Sequence, residues 1–370
     1  DFQDYGKKKF KISDFKIINN LKIKKNKSKR EINLYHNKFL LNKIISNKLN
    51  KNFLGVSIDS KSVKKKNLFV AIKGKNNDGH NYIKEAFSKG ASSCVVSKNF
   101  KKISKSKIIK IPNTYNFLKK LAFLKRNYTS GNIIAVTGSS GKTTVKDLIG
   151  NLLTNYGETF FSPRSFNNSY GVPLSLSNLE HNHEYGVFEI GMSKKGEIDN
   201  LSKIIKPNIA IITNIAEAHI ENFKNLRQIA EAKGEIIDNI STAGKLIIDR
   251  DNKFYNYFKS KAQKNKINVI SVGYNLKSDI KIIKVKDFIK YKLITIKSLK
   301  KIYQIKTKDH IVKNIAFAIA VLETLNLDID KIKNKIKDMN ALEGRGKIYK
   351  IKYKNLNFNL IDESYNANPL

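Results

Sequence analysis

The sequence has a single cysteine, Cys94, and no apolar run long enough to cross a membrane. One thiol excludes an internal disulfide, so a disulfide-stapled scaffold is ruled out and a reducing compartment is expected. A membrane-spanning helix needs about 20 consecutive apolar residues, and the runs here are far shorter. No signal peptide opens the sequence. Together these absences predict a globular, cytoplasmic protein.

Acidic residues are scarce, since 31 Asp and Glu face 71 Lys and Arg, which gives a net charge of +40. Such a balance is typical of proteins that bind nucleic acids or anionic membranes. Here the lysines are dispersed through every segment and mixed with isoleucine and asparagine, whose codons are also AT-rich. We interpret the charge as a consequence of base composition, although a general affinity for anions such as nucleotides follows from it. The alternative interpretation of the charge is that the protein is a basic P-loop protein that binds nucleic acids.

The 370 residues are enough for two or three domains, and 41% of them are hydrophobic. Strand and helix patterns alternate through the middle of the chain, which favours an α/β fold with a mostly parallel sheet. We predict a basic segment at 1–30, a small α/β domain at 31–112, a central domain at 113–343 and the start of another domain at 344–370. The sequence lacks an initial methionine and stops just after an apparent strand and loop, so we expect a fragment.

Local patterns predict individual elements. Gly90 is expected to follow the end of a helix at Lys89, because glycine is favoured just past a helix C-terminus. Runs of β-branched residues between turn residues predict strands. The predicted strands lie at 56–61, 67–74, 93–96, 186–190, 209–214, 347–353 and 357–361, and the predicted helices at 34–45, 113–126 and 311–325.

The most informative stretch follows the apolar run 133–137 and precedes a helical pattern: Gly138-Ser139-Ser140-Gly141-Lys142-Thr143-Thr144. Its glycines therefore lie where a strand turns into a helix. Backbone N–H groups of such a turn point at one spot, the lysine adds a point charge, and the first threonine offers a hydroxyl to Mg²⁺. Val136 stands where the common nucleotide-binding loop has its first glycine, so this is a shorter G-x-x-G-K-T form. The context predicts a phosphate site.

Other polar residues have both a functional and a structural interpretation. Glu189 ends an apolar strand, where it either faces a metal-bound phosphate or is solvated at a loop. His219 is one of 6 histidines, and a lone histidine is more often a surface or packing residue than a ligand. Asn314 interrupts an apolar helix, where it either makes a local polar contact or binds a ligand. Composition does not separate the remaining candidates from ordinary residues: Asn167, Asn168 and Lys233.

An ordered set of segments resembles the Mur ligases, the ATP-dependent amide-forming enzymes of peptidoglycan synthesis. The set runs in family order from about residue 54 to the end, so it is more specific than the phosphate loop alone. The segments are Asp59-Ser60-Lys61, 68–74 with 78–80, 136–143, Asn167-Asn168 with 171–173, 189–192, 214–219, 232–236, Asn314, Gly344-Arg345 and 362–369. The last segment is similar to the branch that adds D-alanyl-D-alanine. The related folylpolyglutamate synthases are an alternative.

The resemblance implies a UDP-sugar-binding domain at 31–112, a central ATP-binding domain and the start of a Rossmann-like C-terminal domain. It also implies ATP and Mg²⁺ as cofactors, and UDP-MurNAc-tripeptide and D-Ala-D-Ala as substrates. In the implied reaction the tripeptide carboxylate attacks the γ-phosphate of ATP, giving an acyl phosphate and ADP. The amine of D-Ala-D-Ala then attacks the acyl carbon, and phosphate leaves. Catalysis of the first step is mainly positioning and charge neutralisation.

The resemblance also implies a role for each matching residue. Lys233 matches the lysine that is carbamylated in the family, and a carbamate forms when CO₂ adds to a neutral amine. The implied catalytic residues are Lys142, Lys233 and His219, and the implied metal ligands are Thr143, Glu189, His219 and the Lys233 carbamate. The implied nucleotide contacts are Gly138, Ser139, Ser140, Gly141, Lys142, Thr143, Thr144, Asn314 and Arg345. The implied substrate contacts are Asp59, Ser60, Lys61, Lys73, Asn167, Asn168, Asp362 and Asn366.

The chain departs from the family pattern in two places. Lys61 stands where the family usually has arginine, so a point charge replaces a fork and we expect a looser contact. The third domain is cut off after its first strands, so residues 1–370 alone are expected to be nearly inactive. The first residues weakly resemble the end of the preceding ligase of the pathway, which suggests a fused or read-through reading frame. We expect a monomer with no specific nucleic-acid partner and no membrane span.

Overall fold

The computed structural model describes residues 28–45, 51–100, 103–217, 222–289, 291–307, 312–339, 347–353, 356–362 and 364. The chain divides into two compact units. Unit 1 comprises Asp1–Thr129 and Leu176–Asn182, and unit 2 comprises Ser130–Ser175 and His183–Leu370. Both units are α/β, which confirms the predicted fold class. The division into four segments stays a prediction.

Unit 1 contains a four-stranded sheet in the order β1–β2–β3–β4, and each pair of neighbours is parallel. Its strands are β1 Val56–Ser57, β2 Leu68–Val70, β3 Ser93–Val96 and β4 Ile108–Lys110, and its described α-helices are Lys29–Ile44, Ile83–Ser88 and Thr114–Asn127. The first two strands are shorter than predicted. One cause is Asp59, whose side chain accepts the N–H of Lys61 and caps a 3₁₀ turn, so the extended backbone ends there.

A buried polar cluster joins two helices of unit 1. His36, in the helix Lys29–Ile44, is 2% exposed, and neither ring nitrogen has a hydrogen-bond partner among the described residues. The His36 ring lies 5.0 Å from the ring of His181, measured between centroids. Burial, the nearby ammonium of Lys125 and the His181 ring lower the pKa of His36 from 6.5 to about 2. The His36 ring is therefore neutral in the folded protein at neutral pH.

We predict that His36 makes unit 1 acid-sensitive. The unfolded chain protonates this ring below about pH 6.5 and the folded chain does not, so stability falls by about 2 kcal/mol between pH 7 and pH 5. His36→Leu should leave stability at pH 7 nearly unchanged, because the ring nitrogens have no described partner to lose. Amide exchange in the helix Lys29–Ile44, corrected for intrinsic rates, measures the effect. Equal acid sensitivity in both proteins would contradict it.

Unit 2 is built on a nine-stranded sheet in the order β13–β12–β11–β10–β9–β8–β5–β7–β6. Its strands are β5 Asn132–Thr137, β6 Thr159–Phe161, β7 Tyr185–Glu189, β8 Ile209–Ile212, β9 Lys245–Asp249, β10 Asn268–Gly273, β11 Ile280–Phe288, β12 Tyr291–Lys297 and β13 Ile302–Thr307. All neighbours from β6 to β11 pair in parallel. The prediction of a mostly parallel sheet is confirmed, with β5 between β7 and β8. The carboxyl ends of these three strands therefore share one edge.

The strands β11, β12 and β13 form an antiparallel meander, which the sequence analysis did not predict. In β13, buried Tyr303 and Ile305 alternate with exposed Gln304 and Lys306. This period of two is typical of an antiparallel sheet with one solvated face, whereas the continuous apolar run of β8 is typical of a strand buried on both faces. The meander extends the sheet on the side away from β6.

Several of the α-helices described after residue 130 pack against this sheet. Two of them, Lys142–Leu153 and Val312–Thr324, pack against each other. Ala316 and Ala320 are buried in the second of these helices. The helix predicted at 311–325 is confirmed, since the structure has it at Val312–Thr324. The described helices are Lys142–Leu153, Gly171–Ser177, Glu197–Ile205, Leu226–Gly234, Tyr255–Lys264, Val312–Thr324 and Lys333–Asp338.

The last described element is an antiparallel hairpin of β14 Lys347–Tyr353 and β15 Leu356–Asp362. The predicted strand pair at 347–353 and 357–361 is confirmed, with β15 one residue longer at each end. Among the described residues, no helix has both the length and the apolar character that crossing a membrane requires.

Candidate active site

The loop between β5 and the helix Lys142–Leu153 depends on two glycines with positive φ. Gly138 has φ +149° and Gly141, at the N-cap of the helix, has φ +75°. A Cβ atom on Gly138 would lie 1.9 Å from Oγ1 of Thr213, so no larger residue fits without moving Thr213, the residue directly after β8. The predicted strand–loop–helix arrangement is thus present. It leaves the first N–H groups of the helix at the carboxyl edge of the sheet.

Residues directly after β8 hold the loop in this shape. Thr213 Oγ1 donates to the carbonyl of Ser140 at 2.6 Å. Ser140 N–H donates to Asn214 Oδ1 at 2.9 Å, and Asn214 Nδ2 donates to Ser140 Oγ at 2.6 Å. The Ser139 N–H donates to the Asn214 carbonyl at 3.0 Å. Sequence reasoning missed Thr213; its place at the end of a strand next to β5 is the signal that could have found it.

Lys142 folds back over the loop. Its Nζ donates to the carbonyl of Gly138 at 2.9 Å and to that of Ser139 at 3.2 Å. The ammonium group therefore lies beside the loop amides rather than in open solvent. An ammonium and a cluster of N–H groups in one place make a site for an anion of high charge, such as a polyphosphate.

Thr143 and Glu189 meet across the edge of the sheet, although 46 residues separate them. Thr143 Oγ1 donates to Glu189 Oε2 at 2.8 Å, and Asn167 Nδ2 donates to Glu189 Oε1 at 2.7 Å. Glu189 is 1% exposed, and no cation lies within ion-pair distance of it among the described residues. A buried carboxylate without a cationic partner is costly. Carboxylate and hydroxyl oxygens beside a phosphate site are the donors that Mg²⁺ prefers, so these residues fit that ion.

Lys233 is buried in the same unit, near the end of the helix Leu226–Gly234, and is 2% exposed. Burial and then the charge of Lys142 lower the pKa of Lys233 well below its usual range. A larger fraction of this amine is therefore neutral at physiological pH than for a surface lysine. The charge of Lys142, a residue of the phosphate loop, thus acts on the Lys233 amine.

Asn314 also comes to the phosphate loop. It lies in the first turn of the helix Val312–Thr324, and its Oδ1 is 3.5 Å from the position of a Cβ built on Gly141. The preceding residue, Lys313, is held by Asp249 at 2.9 Å and by Asp251 at 3.0 Å. These ion pairs tie the start of the helix to the end of β9.

Four predicted substrate contacts lie in unit 1, after the carboxyl ends of β1 and β2. Asp59 and Lys61 are exposed, Ser60 is buried and donates to Glu85 at 2.6 Å, and Lys73 is exposed after β2. Parallel strands bring these loops to one edge of the sheet.

The loop after β2 is fastened by a buried histidine. The N–H of Ser97 donates to His80 Nε2 at 3.0 Å, so the proton of the neutral ring is on Nδ1, which lies 2.5 Å from Asp78 Oδ1. Asp78 also pairs with Lys98 at 2.6 Å. Lys98 first and His80 second hold the pKa of Asp78 below its usual range, although burial opposes them. Lys73 pairs with Asp78 as an isolated antiparallel bridge, so this cluster also holds Lys73.

Two more of the predicted site residues, Asn168 and Asp362, make contacts within their own segments. Asn168 accepts the N–H groups of Tyr170 and Gly171, so it caps the start of the helix Gly171–Ser177. Asp362 ends β15, where it accepts the Ser364 N–H at 3.1 Å. Three predicted residues lie outside the described part of the chain: His219, Arg345 and Asn366.

Known proteins share both units of this chain. The Mur ligase middle domain matches residues 136–322, and the catalytic domain of the Mur ligase family matches residues 52–126. The chain belongs to the Mur ligase family. The predicted family is thereby confirmed, and the members of this family are ATP-dependent ligases.

Individual relatives agree with this assignment. A UDP-N-acetylmuramoyl-tripeptide–D-alanyl-D-alanine ligase of Rickettsia prowazekii is 38% identical over 337 residues, which cover 88% of this chain and 72% of the relative. The crystal structure of MurF from Acinetobacter baumannii matches with a TM-score of 0.78 and 25% identity, covering 90% of this chain and 73% of that one. MurF from Thermotoga maritima, solved in complex with ADP, matches with a TM-score of 0.71 and 28% identity, covering 85% and 72%.

Proposed function

We propose that this Mur ligase joins D-alanyl-D-alanine to UDP-N-acetylmuramoyl-tripeptide with ATP, in peptidoglycan synthesis. The relative from Rickettsia prowazekii that is named for this reaction is 38% identical over 88% of the chain. The observation that carries the proposal is the contact of Thr143 Oγ1 with Glu189 Oε2, 2.8 Å apart, beside the phosphate loop. It joins a hard-cation donor set to a polyphosphate site, which a phosphoryl-transfer reaction needs.

Each residue that the family resemblance singled out has a proposed part in the reaction. The amides of the loop and Lys142 hold the β- and γ-phosphates of ATP. Thr143 and Glu189 hold one Mg²⁺, and His219 holds a second. Lys233 acts as a carbamate, whose oxygens serve the same cations. Asn314 contacts the adenine, and Arg345 and Asp362 contact the nucleotide from the third domain. The proposed substrate contacts are Asp59, Ser60, Lys61, Lys73, Asn167, Asn168 and Asn366.

The proposed chemistry uses these groups for positioning and charge neutralisation. A carboxylate oxygen of the tripeptide attacks the γ-phosphorus, and the bond to the β–γ bridging oxygen breaks, which gives an acyl phosphate and ADP. The amine of D-Ala-D-Ala then attacks the acyl carbon, loses a proton, and expels inorganic phosphate. Mg²⁺ supplies charge neutralisation on the phosphate oxygens. Lys142 and the loop amides keep the triphosphate fixed while negative charge moves to ADP.

The substrate assignment predicts a strict double requirement. In a protein extended to the full length of the Rickettsia prowazekii relative, of which this chain covers 72%, phosphate release from ATP should need both UDP-MurNAc-tripeptide and D-Ala-D-Ala. Each is omitted in turn, and a folate with glutamate serves as the control for a folylpolyglutamate synthase. Turnover with the folate pair, or without the muramoyl peptide, would contradict the assignment.

Cytoplasmic location and a monomeric state stay predictions.

A further inference from the structure

Lys146 is a charged residue that the proposed reaction does not use, yet its side chain is 0% exposed. It lies one turn beyond Thr143 in the helix Lys142–Leu153, on the same side of the helix, because residues three apart are neighbours on a helix surface. Lysine is almost never fully buried unless it is paired. The complete burial of Lys146 beside a proposed metal ligand therefore needs a structural explanation.

The Lys146 ammonium has three oxygen partners. Nζ donates to the carbonyl of Ser162 at 2.6 Å and to that of Arg164 at 2.8 Å, and it lies 2.8 Å from Oδ1 of Asp147. An ammonium has three N–H donors, so these partners satisfy it completely. Two of the three are backbone atoms of one short segment, 162–167. Lys146 thus fastens that segment to the helix.

The segment 162–167 directly follows β6 and begins beside β7, the strand that carries Glu189. Ser162 N–H donates to the Val187 carbonyl at 2.9 Å, and the Glu189 N–H donates to Ser162 Oγ at 3.3 Å. Arg164 then has φ +48°, a left-handed conformation that costs about 1–2 kcal/mol for a residue with a Cβ. A turn of this kind persists where its surroundings hold it, and the Lys146 contact to the Arg164 carbonyl does so.

The same segment ends at the proposed metal ligands. Ser165 Oγ lies 3.2 Å from Thr143 Oγ1. Asn167 Nδ2 donates to Glu189 Oε1 at 2.7 Å. The segment therefore touches both the threonine hydroxyl and the carboxylate, and Lys146 touches neither of them. Any displacement of the segment would change how these two groups face each other.

We infer that Lys146 is a positioning residue: by binding the carbonyls of Ser162 and Arg164, it sets the relative placement of the Thr143 hydroxyl and the Glu189 carboxylate. The inference rests on the proposed function, in which these two groups hold Mg²⁺. Residues that orient metal ligands without touching the metal typically change metal affinity 10- to 100-fold when they are replaced. Lys146 is expected to act in this way on the divalent cation.

The test compares two buried lysines in the chain of 370 residues. Lys146→Met removes the three N–H donors and keeps the apolar part of the side chain. Lys125→Met is the control, because Lys125 is also buried, at 3% exposed, but belongs to unit 1. Binding of a fluorescent, non-hydrolysable ATP analogue is measured as Mg²⁺ is raised. We expect the Mg²⁺ midpoint to rise about tenfold or more in Lys146→Met. Lys125→Met should keep the wild-type midpoint, and Lys146→Arg should recover most of it.

Amide exchange gives a second readout that does not depend on a nucleotide. The segment 162–167 should exchange faster in Lys146→Met than in the wild type, and it should be unchanged in Lys125→Met. If Lys146→Met does not fold, both measurements are made on Lys146→Gln, which has only one donor group for the two carbonyls. A wild-type Mg²⁺ midpoint in the folded variant would overturn the inference and leave the proposed function standing. Analogue binding that ignores Mg²⁺ in the wild type would remove the metal assignment itself.

Discussion

Replacing Lys142 with methionine is expected to weaken the binding of ATP to this chain by about 100-fold. The Nζ atom already lies beside the loop amides, 2.9 Å from the Gly138 carbonyl, so its charge acts where the phosphates are proposed to bind. A hydrogen bond to a charged partner contributes about 1.5–3 kcal/mol, and 2.8 kcal/mol corresponds to a factor of about 100. Equilibrium binding of ATP measures the loss. In the extended protein of the substrate assay, phosphate release should fall by about 10²–10³-fold, because charge also develops in the transition state.

The control for Lys142→Met is Lys203→Met, in the same unit. Lys203 is an exposed lysine that pairs with Asp199 four residues earlier, and surface pairs of this kind contribute little. Its replacement should leave ATP binding unchanged, even though it removes the same formal charge from a protein with a net charge of +40. If the two variants lost affinity equally, the general positive charge would account for ATP binding, and the assigned role of Lys142 would be wrong.

Replacing Lys233 with methionine is expected to abolish a site-specific carbamate and, in the extended protein, to reduce phosphate release by about two orders of magnitude. CO₂ adds to a neutral amine, and burial together with Lys142 holds the pKa of Lys233 well below that of a surface lysine. A larger fraction of this amine is therefore neutral at pH 7–8 than for a surface lysine. Nuclear magnetic resonance with ¹³C-labelled bicarbonate detects the adduct in the wild type.

Lys125 provides a demanding comparison for that experiment. Its pKa is lowered by burial to about 8, so a neutral amine is available there too. It lies in unit 1, without a proposed metal site to stabilise the anionic product. Lys125→Met should therefore keep the ¹³C signal and the activity. If the ¹³C signal survived in Lys233→Met and disappeared in Lys125→Met, the carbamate would form on Lys125 in unit 1. The proposed role of Lys233 would then be wrong.

The sequence predicted the elements whose signals are local. The run 133–137 followed by two glycines and a lysine predicted the strand, loop and helix correctly, because each part has its own pattern within a few residues. The helix at 311–325 was equally clear. The antiparallel strands β11 to β13 were missed, because their alternating lysine and apolar residues resemble the lysine-rich composition of the whole chain.

The candidate site could be predicted only in part. The phosphate loop is a continuous stretch, and its residues were found from the sequence. The family resemblance was needed to name Glu189, Asn167 and Lys233, because the sequence around each of them fits a structural role as well as a functional one. Lys146 was overlooked: in the sequence it is one of 71 basic residues, and only its complete burial distinguishes it.

The sequence by itself determined that the chain is α/β, that a phosphate loop follows an apolar strand, and which family it resembles, because these depend on residues close together or on their order. Only the tertiary structure decided that Thr143 meets Glu189 across 46 residues, and that Asn314 reaches Gly141. The physical reason is the order of the strands. The pairing of β5 with β7 and β8 sets which loops meet at one edge, and backbone hydrogen bonding between distant segments fixes that order.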